Sequence, residues 1–168
     1  VSYSTVFKKG YSKFIENSVM SGLDGLTIPD LPVEENQEIF EIARKNDFKI
    51  VCFIAPTTTD QRVSLITQKA QGFLYYISVV GITGIRDKLP DDIIQNINKL
   101  KQMTNIPVAV GFGVSTSEHA KLIGTVADGV IVGSAIMREI EKYAKEPSEE
   151  LVRGVGEFVG QLISGAKG

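Results

Sequence analysis

The sequence is poor in the residues on which several classes of protein depend. It holds one cysteine, Cys52, so no internal disulfide forms, which is typical of proteins in a reducing compartment such as the cytoplasm. No apolar run approaches the roughly 20 residues that a membrane-spanning helix needs. Eighteen basic and twenty acidic side chains leave a net charge of −2, which argues against a nucleic-acid surface. We therefore predict a cytoplasmic protein that binds neither nucleic acid nor membrane.

The common motifs of catalysis and metal binding are also missing. The sequence contains no Gly-x-Ser-x-Gly elbow, no Walker loop and no His/Cys cluster that would hold a metal ion. His119 is the only histidine and falls at the start of a predicted helix, so we do not expect it to act in catalysis. The only lysine in a predicted strand is Lys49, at the strand start, which disfavours a Schiff-base aldolase.

The composition is that of an ordinary globular protein. Of the 168 residues, 43% are hydrophobic and 23% are charged, and glycine and proline are scattered along the chain. A chain of this length buries roughly 70% of the surface that its unfolded form exposes. We predict one domain over residues 1–168.

Five short apolar runs recur along the chain and predict parallel strands. They are nearly continuous in apolar residues, as strands covered on both faces are. Their starts are 24, 24, 34 and 22 residues apart, which is typical of alternating strands and helices. A fragment at residues 1–3 would add a sixth strand. The five runs are residues 25–29, 49–54, 73–78, 107–111 and 129–133.

Amphipathic stretches between these runs predict helices, the last of them from about Ser148. Helix starts are indicated by Pro32 before two glutamates, by Thr59-Asp60, and by Ser115 with Glu118 in capping-box spacing. The result is an α/β protein with a parallel sheet. Spacing alone does not decide between an eight-stranded barrel, which takes roughly 250 residues, and an open doubly wound sheet.

Glycine turns directly after two consecutive strands indicate a phosphate site. Residues 111–113 read Gly-Phe-Gly, and Gly133-Ser134 opens the predicted short helix 135–144. Backbone N–H groups at such turns, with a helix amino terminus, bind phosphate without a lysine. One such turn would more often be a plain tight turn, but two in succession favour phosphate.

Three further features are weaker candidates. The loop from Gly81 to Pro90 has glycines and polar residues suited to a lid, although a solvated surface loop is equally compatible. Asp30 follows a strand, where it either acts in chemistry or caps a turn. Tyr75 and Tyr76 alternate in a strand, so one of them faces inward, toward a ligand or simply into the core.

Several blocks of sequence, taken together, resemble one known family. The most specific are Pro29-Asp-Leu-Pro32 and Gly111-Phe-Gly113, and further blocks lie at residues 54–58, 81–84 and 128–136. Over its whole length the chain resembles the α subunit of tryptophan synthase. The resemblance implies a (β/α)8 TIM barrel, of which this chain covers about the last six β/α units.

The resemblance also implies an activity and a partner. The family cleaves indole-3-glycerol phosphate to indole and glyceraldehyde 3-phosphate, in an α2β2 complex whose β subunit holds pyridoxal phosphate. We therefore expect no cofactor and no metal on this chain.

The resemblance assigns roles to residues by position. Substrate phosphate is expected on Gly84, Gly113, Gly133 and Ser134. The indole pocket is expected at Phe53, Tyr75 and Phe112. A mobile loop is expected at Gly81, Thr83 and Gly84, and the β-subunit interface at Asp30, Pro32 and Pro56.

The chain also departs from the family. The resemblance places the catalytic glutamate and the indole-binding aspartate before Val1, so we expect no general acid or base within this chain, with Tyr75 as an auxiliary group. The chain alone is then expected to be inactive. One alternative is a non-catalytic phosphate-binding or regulatory partner of a β-type subunit, and a more distant one is a sugar-phosphate isomerase or epimerase barrel.

Overall fold

The computed structural model describes residues 1–34, 36–77, 92–111 and 113–167. Within these ranges the helices are α1 (Tyr3–Lys9), α2 (Tyr11–Met20), α3 (Gln37–Lys45), α4 (Asp60–Lys69), α5 (Ile93–Met103), α6 (Ser117–Gly124), α7 (Ser134–Lys142) and α8 (Ser148–Lys167). The strands are β1 (Gly25–Thr27), β2 (Lys49–Ile54), β3 (Leu74–Ile77), β4 (Val108–Gly111) and β5 (Gly129–Val130).

The strands form a sheet in chain order, β1-β2-β3-β4-β5. β1 pairs with β2 in parallel, with Gly25 opposite Lys49, and β4 pairs with β5 in parallel, with Ala109 opposite Gly129. Each connection between paired strands contains a helix, as parallel pairing requires. The predicted α/β class is confirmed, and all five apolar runs contain a strand.

The predicted strand at residues 1–3 is wrong. Val1 and Ser2 lie outside helix and strand, and Tyr3 begins α1. The Val1 amino group donates to the Thr27 carbonyl at 3.0 Å, but no strand pairing with β1 follows from this one hydrogen bond. Asp30 satisfies the Tyr3 N–H at 2.8 Å, and this contact favours a helix start over continued extension.

Two of the three helices begin later in the sequence than the predicted start residues indicate. Thr59 caps α4 as expected, accepting from the Arg62 N–H at 3.4 Å. Thr116, not Ser115, caps α6, because its hydroxyl reaches the His119 N–H at 3.2 Å. α3 begins at Gln37, well beyond Pro32, since side chains of other helices hold the intervening loop in a non-helical form.

The chain divides into two compact units, each with its own buried residues. The first comprises residues 1–54, 58–75 and 103–107. Its interior is built by side chains that are at most 1% exposed, namely Val6, Ile15, Ile39, Phe40, Ala43, Phe48, Ile50 and Leu74. The single domain expected over residues 1–168 is not tested by this division and stays a prediction.

The second unit comprises residues 55–57, 76–102 and 108–168. Val108 and Val110 of β4 are completely buried, as are Ile97 of α5 and Ile123 of α6. α6 and α8 pack against each other through glycine. A Cβ on Gly165 would lie 3.0 Å from the carbonyl carbon of Ser117 and would overlap its oxygen. The two helices therefore touch backbone to backbone at this point.

This contact predicts the effect of adding one methyl group. Gly165→Ala should force α6 and α8 apart and lower the free energy of unfolding by about 1–2 kcal/mol, because the obstructing atoms are backbone. Gly160→Ala is the matched control on the same helix, since a Cβ there meets nothing within 4 Å, and it should stabilise by about 0.5–1 kcal/mol. Urea unfolding measures both variants. Equal stability of the two would contradict the close packing.

Candidate functional site

The loops that follow the strands carry most of the candidate residues. Asp30 and Pro32 follow β1, Pro56 follows β2, Gly113 follows β4, and Gly133 follows β5. Because the paired strands are parallel, the loops after β1 and β2 leave the same edge, as do those after β4 and β5. Four further candidates, Gly81, Thr83, Gly84 and Phe112, lie outside the described residues.

Phe53 and Tyr75, both assigned to the indole pocket by resemblance, form an aromatic pair. Their ring centroids are 5.0 Å apart with planes inclined at 37°, and both side chains are half-buried. Burial raises the pKa of the Tyr75 hydroxyl, so this group stays protonated at neutral pH.

The neighbouring Tyr76 points to the other face of β3, as alternation along a strand predicts. It is 2% exposed, and burial raises its pKa to about 12, with Asp92 adding to the rise and Asn96 opposing it. Asp92 and Asn96 lie at the start of α5, so Tyr76 faces a helix and Tyr75 faces the opposite side of the strand. Of the two tyrosines, Tyr75 is therefore the one placed beside Phe53.

The two glycine turns differ in backbone geometry. Gly113 has φ of +88°, a left-handed conformation that favours glycine, and the buried Val114 follows it. Gly133 is the N-cap of α7 and has φ of −118°. A Cβ at Gly133 would meet no atom within 4 Å, so the space in front of this turn is open.

The amino terminus of α7 has the donors that an anion requires. No side chain among the described residues caps it, and its first turn contains no acidic residue. The first N–H groups of a helix have no partner within the helix and lie at the positive end of its dipole. Ser134, the first residue of α7, is exposed and adds a hydroxyl at this point. The predicted phosphate cradle at Gly133 and Ser134 therefore has both open space and N–H donors.

The loop 29–36 lies between β1 and α3, and its described residues, 29–34 and 36, are tied to α1 and α2. Asp30 Oδ1 accepts from the Tyr3 N–H at 2.8 Å. Asn36 Oδ1 lies 2.7 Å from the Tyr3 hydroxyl and 2.9 Å from the Tyr11 hydroxyl, and Asn36 Nδ2 donates to the Pro32 carbonyl at 3.0 Å. Burial and the Tyr3 hydroxyl raise the pKa of Tyr11 to about 12, so its hydroxyl keeps its proton.

Side chains of α4 hold the same loop from a second direction. Lys69 Nζ donates to the Val33 carbonyl at 2.7 Å and to the Glu34 carbonyl at 3.4 Å. Arg62 Nε lies 3.0 Å from Glu34 Oε1. The loop is therefore fixed by three helices, while Asp30 and Pro56 are exposed and Pro32 is half-buried.

Sequence reasoning missed Tyr3, Tyr11, Asn36 and Lys69 as residues of this region. Tyr3 and Tyr11 are 33 and 25 residues from Asn36 in sequence, and no local pattern links them. The one available signal was an asparagine directly before a helical pattern, which is typical of an N-cap. That signal misleads here, because Asn36 makes no side-chain cap to α3.

Asp128 anchors the start of β5 in the second unit. Its Oδ1 accepts from Lys101 Nζ of α5 at 2.8 Å, and its Oδ2 accepts from the Val108 N–H of β4 at 2.9 Å. The Lys101 hydrogen bond, followed by the Val108 N–H, holds the pKa of this carboxyl below its ordinary value. Asp128 thus joins α5, β4 and β5 at the end of the sheet away from Gly133.

Two classes of feature are absent from the part of the chain that the structure describes. No three His, Cys, Asp or Glu side chains cluster there as metal ligands would. No helix in the same ranges is long and apolar enough to cross a bilayer. Cys52, the free cysteine of β2, is buried, and burial raises the pKa of its thiol to about 12.

These features define a class of protein. The fold is a parallel α/β fold whose candidate binding groups follow the strands, as in (β/α) barrels. Comparison with known sequences then specifies the family. The sequence profile described as Tryptophan synthase alpha chain matches residues 1–166, and the chain belongs to this family.

Curated relatives carry the same description. The tryptophan synthase alpha chain of Thermoanaerobacter sp. (strain X514) is 42% identical over 163 residues, which cover 96% of this chain and 61% of the relative. That of Methanocaldococcus jannaschii is 40% identical over 144 residues, covering 86% of this chain and 51% of the relative. The chain thus spans about half to three-fifths of the length of these relatives.

Solved structures of the family share the fold. A structure of the tryptophan synthase α2β2 complex from Pyrococcus furiosus superposes with a TM-score of 0.81 at 37% identity, covering 95% of this chain and 64% of the matched chain. A structure of tryptophan synthase from Mycobacterium tuberculosis superposes with a TM-score of 0.82 at 29% identity. The match covers 98% of this chain and 60% of the matched chain. The predicted TIM-barrel fold, of which this chain represents a part, is confirmed.

The Asp128 contacts predict a pH-dependent stability. The pKa of Asp128 in the folded protein lies below its unfolded value of about 3.9. The ionised carboxylate therefore stabilises the folded state above about pH 3.9, and this stabilisation is lost as pH falls through the folded pKa. Asp128→Asn should lower the free energy of unfolding at pH 7 by about 1 kcal/mol. The loss is limited to this size because solvent screens the partly exposed bond between Asp128 and Lys101. Urea unfolding should show a smaller difference between the two proteins at pH 3.

Asp47→Asn is the matched control for this prediction. Asp47 also pairs with a lysine, Lys49, but its side chain is 94% exposed and it anchors no strand. Its backbone has φ of +51°, which asparagine tolerates well. We expect Asp47→Asn to change the free energy of unfolding at pH 7 by less than Asp128→Asn does, because solvent screens so exposed a pair. A loss as large as that of Asp128→Asn, or a difference between Asp128→Asn and the parent that is independent of pH, would contradict the assignment.

Proposed function

We propose that the protein is the α component of a tryptophan synthase and cleaves indole-3-glycerol phosphate to indole and glyceraldehyde 3-phosphate. The observation that carries the proposal is the turn at Gly133, an uncapped helix amino terminus with open space in front of it, in a chain of this family. The candidate residues match the two chemical ends of that substrate, an anionic phosphate and an aromatic ring.

The phosphate end of the substrate is assigned to backbone N–H groups. Gly133 and Ser134 supply the amino terminus of α7, and Gly113 supplies a second glycine turn. Such a site needs no lysine, because the helix dipole and converging N–H groups stabilise the dianion. Gly84 belongs to the same assignment by resemblance.

The indole end is assigned to the aromatic pair Phe53 and Tyr75, with Phe112 added by resemblance. Offset or tilted rings such as these pack well against a further aromatic ring. The protonated Tyr75 hydroxyl is an auxiliary donor in this assignment. Its burial beside Phe53 keeps the acidity of this phenol low, which suits a hydrogen-bond donor better than a general acid.

The reaction is a retro-aldol cleavage. A general acid protonates the indole ring carbon that carries the glycerol phosphate chain, and a general base removes the proton of the adjacent side-chain hydroxyl. The carbon–carbon bond breaks, its electron pair returns to the indole ring, and the hydroxyl carbon becomes the aldehyde. The resemblance assigns these acid and base groups to carboxylates that precede Val1, and it assigns a mobile loop to Gly81, Thr83 and Gly84.

The partner assigned to this chain is a tryptophan synthase β chain. The Pyrococcus furiosus structure concerns mutual activation of a tryptophan synthase α2β2 complex, which supports such a partner in this family. The surface assigned to it contains Asp30, Pro32 and Pro56, and side chains of other helices hold the loop of the first two. Pyridoxal phosphate is assigned to the β chain, so this chain would carry no cofactor.

A second candidate is a non-catalytic partner that binds phosphate ligands and regulates a β chain. One observation favours it. Two carboxylates that flank strands, Asp30 after β1 and Asp128 before β5, both accept structural hydrogen bonds, from Tyr3 and from Lys101 with Val108. Among the described residues assigned to the site, the N–H groups at the start of α7 and the pair Phe53 and Tyr75 are suited to recognition rather than to proton transfer.

Indole release decides between the two candidates. The complete gene product is incubated with indole-3-glycerol phosphate, with and without a tryptophan synthase β chain, and indole is quantified. The proposal predicts indole formation that the β chain increases. Binding of the substrate without any indole, in a folded protein, would favour the regulatory candidate.

The cradle at Gly133 predicts a selective loss of substrate affinity. Gly133→Ala places a methyl group in the open space assigned to phosphate, so the KM for indole-3-glycerol phosphate should rise by about tenfold or more. The free energy of unfolding should change by less than about 0.5 kcal/mol, because the methyl group meets no protein atom. Gly160→Ala on α8 is the control and should leave KM unchanged. An unchanged KM in Gly133→Ala would place the phosphate elsewhere.

A further inference from the structure

Three oxygen atoms meet in a triangle at the end of the loop 29–36. The Tyr3 and Tyr11 hydroxyls are 2.7 Å apart, and they lie 2.7 Å and 2.9 Å from Asn36 Oδ1. Each phenol carries one proton and the amide oxygen carries none. Three contacts therefore share two protons, and at any moment at most two of them are hydrogen bonds.

The orientation of Asn36 is fixed independently of the two tyrosines. Its Nδ2 donates to the Pro32 carbonyl at 3.0 Å, so its Oδ1 is the atom that faces the hydroxyls. Asn36 is 9% exposed, and a buried amide oxygen without a donor is costly. The contact with Pro32 also makes the Asn36 side chain a bridge across the loop.

The shared protons make the two tyrosines redundant. If one hydroxyl is removed, the other still donates its proton to Asn36 Oδ1. Only the removal of both leaves this buried oxygen without a donor among the described residues. The physical signature of such a cluster is non-additivity, with two mild single changes and a severe double change.

Tyr3 also holds the opposite end of the same loop. Its backbone N–H donates to Asp30 Oδ1 at 2.8 Å, while its hydroxyl contacts Asn36. The exposed ring of Phe7 lies beside both phenol rings, with centroids 5.8 Å from that of Tyr3 and 6.2 Å from that of Tyr11. α1 thus holds the loop at both ends through Tyr3, and α2 holds it at Asn36 through Tyr11.

We propose that Asn36 is a positioning residue, held by the duplicated donors Tyr3 and Tyr11, which fixes the loop 29–36 in the conformation that the partner chain binds. The partner in this inference rests on the proposed function. The fixing of the loop rests on the hydrogen bonds of Asn36, Asp30 and Pro32 alone.

The test is a double-mutant cycle of Tyr3→Phe, Tyr11→Phe and the double variant in the complete gene product. Tyr143→Phe in the second unit is the matched control, since it also removes one phenol hydroxyl. Hydrogen exchange is measured at the Leu31 amide, which donates to the Ile28 carbonyl at 3.2 Å inside the loop. The Phe48 amide, which donates to the Ala43 carbonyl at 2.9 Å in the same unit, reports general loosening.

We expect each single variant to change Leu31 exchange by less than about threefold and the double variant to accelerate it by about tenfold or more. Phe48 exchange should stay close to that of the parent, because the effect is confined to the loop. Additive effects in the cycle, or equal acceleration at Leu31 and Phe48, would overturn the inference in favour of a purely structural role.

Affinity for a tryptophan synthase β chain, measured by titration calorimetry, tests the second half of the proposal. The double variant should bind about tenfold or more weakly, and the single variants and Tyr143→Phe should bind like the parent. Unchanged affinity despite faster Leu31 exchange would overturn the link to the partner. If the parent protein itself binds no β chain, the partner assignment of the proposed function fails, while the exchange cycle still decides whether Asn36 fixes the loop.

Discussion

Parallel pairing of the strands is the constraint on which the candidate site depends. β1 with β2 and β4 with β5 run in the same direction, so the loops that follow paired strands leave at one edge of each pair. The chain must return through a helix between strands, and this return leaves the strand ends available for binding groups. Each of the described candidates either follows a strand or lies within one.

The two units hold their strand-end loops by different means. In the first unit, groups of α1, α2 and α4 form hydrogen bonds with Asp30, Val33, Glu34 and Asn36 of the loop 29–36. In the second unit, Asp128 accepts hydrogen bonds from Lys101 and Val108 at the start of β5. At the other end of β5, the turn at Gly133 leads directly into α7. A loop fixed by other elements presents a defined surface, whereas a glycine turn before a helix presents N–H groups.

The sequence predicts the regular part of this architecture well. Apolar periodicity finds the five strands and every described helix except α1, because burial on defined faces imposes that periodicity. It fails at residues 1–3, where a contact with Asp30 favours a helix, and at the starts of α3 and α6, where particular side chains shift the boundary. Alternation along β3 predicts that Tyr75 and Tyr76 face opposite sides of the strand, as they do, but it does not predict which of them lies beside Phe53. The cluster of Tyr3, Tyr11 and Asn36 was out of reach, because it depends on contacts between residues that are distant in sequence.

The most direct test of the site is to map where the substrate binds. The amide chemical shifts of the complete, isotope-labelled protein are followed while indole-3-glycerol phosphate is added. The largest changes are predicted at the glycine turns and the first turn of α7, at Gly113, Ser134 and Ala135, with further changes around Phe53 and Tyr75. Changes confined to other surfaces, such as the polar groove between α6 and α8 that Lys121 and Gln161 line, would contradict a phosphate site at the strand ends.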